Sequence, residues 1–260
     1  MRRLYVKEDY PIAWLVINNP ARRNAMSLDM WHRFTELVEN LNQDPRVRAI
    51  VIRGEGDAGF ISGADISEFQ TLRKDPQAAK VYEEANATAF RSLRQSTIPT
   101  IAMIRGHCLG GGFGIAAACD IRIAAKDAEF GIPAGQLGLG YPTDAVKDVI
   151  DLIGAANARD LFFSARKINA DEAREMRFVN RVVSGNKIEF ETLRYVRLIT
   201  ESAPLTIKAA KAAINASLGQ PNTEALRLAE KLADACTESQ DYQEGIAAFL
   251  EKRKPVFNGK

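Results

Sequence analysis

Residues 109–120 read Leu109-Gly110-Gly111-Gly112-Phe113-Gly114-Ile115-Ala116-Ala117-Ala118-Cys119-Asp120, three successive glycines running into a small-residue helical stretch. Consecutive glycines let the backbone come very close to a ligand, and amides at the start of a helix point their N–H groups outward, toward negative charge. The stretch therefore predicts a strand-to-helix junction where charge is held by the backbone alone. It is not a dinucleotide fingerprint, because G-x-G-x-x-G read from Gly110 requires glycine where Ile115 stands, and no G-x-x-x-x-G-K-[ST] occurs. Nor is Gly59-Phe60-Ile61-Ser62-Gly63 a nucleophile elbow, since its spacing is G-x-x-S-G.

Outward from this junction, Ile12–Ile17, Ala49–Ile52 and Thr100–Ile104 are short, β-branched apolar runs bounded by Gly, Pro or Asn, the signature of buried strands. Between them Met30, Phe34, Leu37, Val38 and Leu41 recur at helical spacing after a Ser27 cap, and a second long helical pattern covers about Pro76 to Gln95. Strand and helix alternate over roughly the first 185 residues, an α/β core. From about Lys187 the strands stop. Three helical patterns follow, broken at Pro204 and Pro221, the last ending near Arg253 before Pro255. The expected division is a core over 1–185 and a C-terminal helical region over 186–260, with the boundary at Ser184-Gly185-Asn186.

The totals narrow the class. A chain of 260 residues, 46% apolar and 26% charged, has ample material for a large core. Its net charge of +2 predicts no attraction to nucleic acid or an anionic membrane surface. The N-terminus lacks a signal-peptide core and no segment approaches the ~18–20 apolar residues of a membrane span, so the expected location is cytoplasmic. Three widely spaced cysteines and two histidines argue against a disulfide framework and a metal centre.

A second glycine-rich loop, Phe60-Ile61-Ser62-Gly63-Ala64-Asp65-Ile66, follows the Ile50–Arg53 strand. With Asn18-Asn19-Pro20, Asn24-Ala25, Cys119-Asp120-Ile121-Arg122-Ile123-Ala124, Phe130-Gly131-Ile132-Pro133, Leu137-Gly138, Phe178-Val179-Asn180 and the terminal Ala248–Lys254 segment, it resembles the crotonase (enoyl-CoA hydratase/isomerase) superfamily over nearly the whole chain. The resemblance implies a spiral core of repeated ββα units and an enzyme, a lyase or isomerase of fatty-acid metabolism. It implies an acyl-CoA thioester substrate with coenzyme A as part of that substrate, no permanently bound cofactor, and assembly as a homotrimer or hexamer. It also implies that the Ala64 and Gly111 amides form an oxyanion hole for the thioester enolate. The donors of such a hole are worth ~3–4 kcal/mol each. By the same resemblance Ala64, Asp65, Ile66 and Ser67 contact the cofactor portion. Lys252 reaches its phosphates, or simply belongs to a solvated helix face.

The chain departs from the family where hydratases carry two glutamates: those positions read Gly114 and Ala134. Neither moves a proton, which weakens ordinary hydration and implies that glutamates restored at both positions would raise it, given room for them. Tyr141 is the leading replacement, since naphthoyl-CoA synthases place a carboxylate and methylmalonyl-CoA decarboxylases a tyrosine near this position. Its bland alternative is a packing tyrosine. Asp144 or Thr143 is expected to cap the following helix, His107 to be structural, and Cys108 and Cys119 to be buried apolar groups. Hydratase or isomerase, decarboxylase of malonyl-type thioesters, and non-catalytic acyl-CoA binder remain open.

Overall fold

The computed structural model describes residues 3–57, 59–73, 75–218 and 222–260, with the backbone alone at Gln70. In chain order the elements are β1 (Leu4–Asp9), β2 (Ile12–Ile17), α1 (Leu28–Gln43), β3 (Ala49–Gly54), α2 (Phe69–Leu72), α3 (Pro76–Arg94), β4 (Thr100–Ile104) and β5 (His107–Leu109). There follow α4 (Gly111–Ala118), β6 (Ile121–Ala125), β7 (Glu129–Gly131), α5 (Ala134–Leu137), α6 (Thr143–Ser164), β8 (Lys167–Asn169), α7 (Ala170–Glu175) and β9 (Arg181–Val183). The chain ends in α8 (Ile188–Thr200), α9 (Pro204–Ser217), α10 (Thr223–Thr237) and α11 (Gln240–Leu250).

Two sheets result, one ordered β1-β2-β3-β4-β6-β9 and a smaller one ordered β5-β7-β8. The larger is parallel from β2 to β9, with β1 antiparallel at its edge. Parallel strands covered on both faces need continuous apolar runs, and all six residues of β2 are buried. One face packs against α1, α3 and α4 through Trp31, Phe34, Phe90 and Phe113. The other packs against α8 through Ile188 and Val196.

The three strands and both helical patterns read from the sequence stand where expected, and Ser27 caps α1 by accepting from the Met30 amide at 3.3 Å. Three details differ. The final helical pattern is two helices, because Ser239 stops one and caps the next by accepting from the Tyr242 amide at 3.0 Å. The last helix ends at Leu250 rather than Arg253. At α6, Pro142 holds the cap position, and neither Thr143 nor Asp144 supplies a capping hydrogen bond. The break expected at Pro221 lies outside the described residues. Beyond β9 the described elements are all helical, and the tail folds back onto them: the Asp241 carboxylate accepts from the Asn258 and Gly259 amides at 2.7 and 2.8 Å.

Candidate active site

The site is built where the loops after β3 and β5 lie side by side. Ile61 pairs with β5, its amide donating to the His107 carbonyl and its carbonyl accepting from Leu109, both at 3.0 Å. Two residues on, the Gly63 carbonyl accepts from Met26 at 2.9 Å and the Asp65 amide donates back to Met26 at 2.8 Å. The backbone on either side of Ala64 is therefore pinned. The Asn-rich turn braces the same loop: Asn24, in a left-handed conformation at φ 58° that asparagine tolerates, donates from Nδ2 to the Gly59 carbonyl at 2.7 Å.

Each glycine of the opening stretch has its own cause. Gly110 adopts φ 51°, ψ −116°, which a side chain resists. A Cβ on Gly111 would stand 2.9 Å from two ring carbons of Trp31, and one on Gly112 would stand 2.2 Å from the Ile61 carbonyl oxygen. The glycines thus bring α4 against the Ala64 loop, and the Gly111 Cβ position is only 3.9 Å from the Ala64 nitrogen. Among the described residues, neither the Ala64 nor the Gly111 amide donates to a protein acceptor. Both residues line a cavity of about 110 Å³. Two free donors side by side on half-buried backbone are equipped to hold an oxyanion, with the start of α4 adding its favourable dipole.

The far end of α4 is held by charge. Arg122, 2% exposed, donates to the carbonyls of Ala116 (3.0 Å), Cys119 (2.5 Å) and Phe178 (2.6 Å). Desolvation lowers its pKa from the ordinary arginine value. A cation at a helix C-terminus complements an anion at its N-terminus.

Tyr141 lines the same cavity, its ring packed edge-on against Phe162. Its hydroxyl donates to the Gly110 carbonyl at 2.9 Å, and burial, above all, raises its pKa above the normal phenol value. The proton considered for catalysis is thus already engaged in holding the glycine loop. Asp65 holds loop geometry as well, accepting from the Ser67 amide (3.1 Å) and hydroxyl (2.7 Å), which hold its carboxyl below the usual range. Ile66 lines the cavity and is exposed, and Ser67 is exposed just outside it. Lys252 is an exposed residue just after α11 and does not line this cavity.

The two empty glutamate positions differ. Ala134 lines the cavity. At Gly114 a Cβ would meet Phe90 Cζ at 2.5 Å and two further ring carbons at 2.9 Å. Phe90 is buried and lies edge-on to Trp31, with centroids 5.9 Å apart. The space of one glutamate is occupied by an aromatic ring, so the room assumed for restoring both does not exist at 114.

Sequence reading missed three polar residues at the cavity wall: Arg73, and Glu83 and Asn86 on α3. Glu83, Asn86 and Phe90 recur at i, i+3 and i+7, one stripe of the helix. That stripe was the available signal.

A parallel sheet, a second small sheet and a glycine-lined pair of free amides define an α/β protein with a backbone anion site. The chain matches the family profile described as Enoyl-CoA hydratase/isomerase over residues 8–260. It is 33% identical over 257 residues to a crotonyl-CoA hydratase of Syntrophomonas wolfei, covering 99% of this chain and 98% of that protein. It is 30% identical over 254 residues to a short-chain-enoyl-CoA hydratase of Clostridium acetobutylicum, covering 98% and 97%. Its fold superimposes with a TM-score of 0.93 on an enoyl-CoA hydratase/carnithine racemase from Magnetospirillum magneticum, at 34% identity over 100% of this chain and 97% of that one. The chain belongs to the enoyl-CoA hydratase/isomerase family, the crotonase superfamily of acyl-CoA enzymes.

Proposed function

We propose that this chain binds a coenzyme A thioester with its carbonyl oxygen between the Ala64 and Gly111 amides and stabilises the enolate that forms there. The observation carrying this reading is that pair of amides, side by side at one cavity with no acceptor of their own. The thioester supplies the coenzyme A, and no resident cofactor is required. Asp65 orders the loop that would meet the pantetheine arm, with Ile66 and Ser67 next to it. Lys252 does not line this cavity and is given no contact with the phosphates in this reading. A second reading, decarboxylation of a malonyl-type thioester, is favoured by Phe90 filling the Gly114 position, since loss of CO₂ generates the enolate without a base. The test is a panel of 2-enoyl, 3-enoyl and malonyl-type thioesters followed by mass spectrometry. Turnover of any of them supports the enolate reading, and tight binding with no turnover makes the chain an acyl-CoA-binding protein.

Tyr141 fixes the glycine loop in this scheme. The Gly110 carbonyl also accepts from the Gly114 amide at 3.0 Å, so it stays partnered when the phenol is removed. Tyr141→Phe should cost about 0.5–1.5 kcal/mol of stability and lower turnover by roughly tenfold through a loosened loop. A fall of ~10²-fold or more with an unchanged melting temperature would instead make Tyr141 the proton donor.

The helical region from 186 onward serves assembly in this proposal. Within it Phe190, Leu198, Phe249 and Leu250 are all exposed, more apolar surface than isolated side chains account for. Light scattering at micromolar concentration should give a trimer or hexamer, and a monomer would refute this.

A further inference from the structure

We infer that Glu83, held by Arg73 and flanked by Asn86, is the proton-transfer group of this pocket, acting at carbon on the bound thioester. The inference rests on the enolate reading above and supplies the base that Gly114 and Ala134 lack. Glu83 is the one carboxylate among the described residues that line the cavity. Its Oε1 lies 2.6 Å from the Arg73 guanidinium. Arg73 has only 11% of its side chain exposed and lies over the rings of Phe69 and Tyr82, 4.6 and 5.6 Å from their centroids. That packing holds the cation in place, and the ion pair keeps Glu83, whose side chain is 42% exposed, against it.

Asn86 is the second, independent observation. One turn further along α3, its Oδ1 is buried without a hydrogen-bond partner, although Asn86 lines the same cavity. Buried polar atoms without partners are costly, and one beside a ligand cavity is accounted for by a donor that arrives with the ligand. Phe90, the next residue of the stripe, closes the pocket against Gly114.

One carboxylate suffices for a 1,3-proton shift. The Glu83 carboxylate takes a proton from Cα of a 3-enoyl thioester, the Cα–H electron pair becomes a double bond to the thioester carbon, and the carbonyl π pair moves onto the oxygen. The negative charge rests on the thioester oxygen between Ala64 and Gly111. The Glu83 carboxyl then gives the proton to Cγ, which the Cβ=Cγ electron pair bonds while Cα=Cβ forms and the carbonyl reforms, and becomes a carboxylate again. A 3-enoyl thioester becomes a 2-enoyl thioester with no water, oxidant or second base consumed.

The experiment uses the purified full chain and two probes, butyryl-CoA in D₂O for exchange of the α-protons and 3-hexenoyl-CoA for the double-bond shift, with butyryl-CoA affinity measured by calorimetry. Glu83→Gln keeps the shape and a polar partner for Arg73, and should reduce exchange and isomerisation by ~10²-fold or more with affinity and melting temperature nearly unchanged. Glu83→Asp should recover part of the lost rate. Wild-type rates in Glu83→Gln would overturn the inference. So would a wild type that binds butyryl-CoA but exchanges no proton, and that result leaves the thioester site standing. A wild type that binds no thioester overturns the enolate reading and this inference with it.

Discussion

Replacing Gly111 by alanine should lower turnover on the preferred thioester by ~10²–10³-fold, the scale on which a single oxyanion donor acts. The substitution keeps the N–H group but moves it. The new Cβ would lie 2.9 Å from two ring carbons of Trp31, which is completely buried and has no open side to swing toward. Either the ring or the start of α4 must shift, and displacement of a catalytic donor by about 1 Å costs on the order of 10²-fold. Overpacking of this kind also costs about 1–3 kcal/mol of stability. A melting curve measured beside the kinetics separates the two effects. Full turnover in Gly111→Ala would mean that this amide does not hold the developing charge.

Introducing glutamate at position 114 should not create a hydratase. Gly114→Glu forces a side chain into the ring of Phe90 and brings a carboxylate into a buried setting, costing about 3 kcal/mol or more. For a chain somewhat larger than 150–250 residues that is a drop of roughly 6–12 °C in melting temperature, read by calorimetry. Phe90→Ala alone should also destabilise, by about 3–5 kcal/mol, because it opens a cavity. Combined with Gly114→Glu it should cost less than the sum, since each change relieves the other's defect. Gly114→Glu with wild-type stability, or strict additivity of the pair, would show that the ring yields its place freely.

The sequence carried the fold far because the deciding signals are local. The apolar runs at Ile12–Ile17 and Thr100–Ile104 and the Ser27 cap depend on neighbours within a few residues, and all form as read. The glycine run was legible as a close-approach motif, and Gly111 and Ala64 both line one cavity. Partners distant in sequence were not legible. Nothing near Gly114 announces that Phe90 fills its space, and nothing near Tyr141 announces that its proton goes to the Gly110 carbonyl. Glu83 reads as one of several acids on a polar helix face until packing sets that face over the cavity. Ser239 escaped notice because a serine in a helical pattern caps a new helix or merely interrupts an old one, and only the chain's change of direction tells which.

The Arg122 clamp bears on the order in which the molecule assembles. Its guanidinium joins the end of α4 to the Phe178 carbonyl, and the Arg122 amide donates to Asn180 at 2.8 Å. These links span 56 and 58 residues of chain, and β6 gains β9 as its neighbour only beyond them. During synthesis at ~5–20 residues per second, α4 and its glycine loop emerge seconds before the segment that completes their support. In the folded chain the support of α4 thus includes carbonyls that are made only after its own residues. Closing long loops slows folding more than it weakens the product. The cavity beside α4 accordingly depends, in the folded chain, on residues remote from it in sequence.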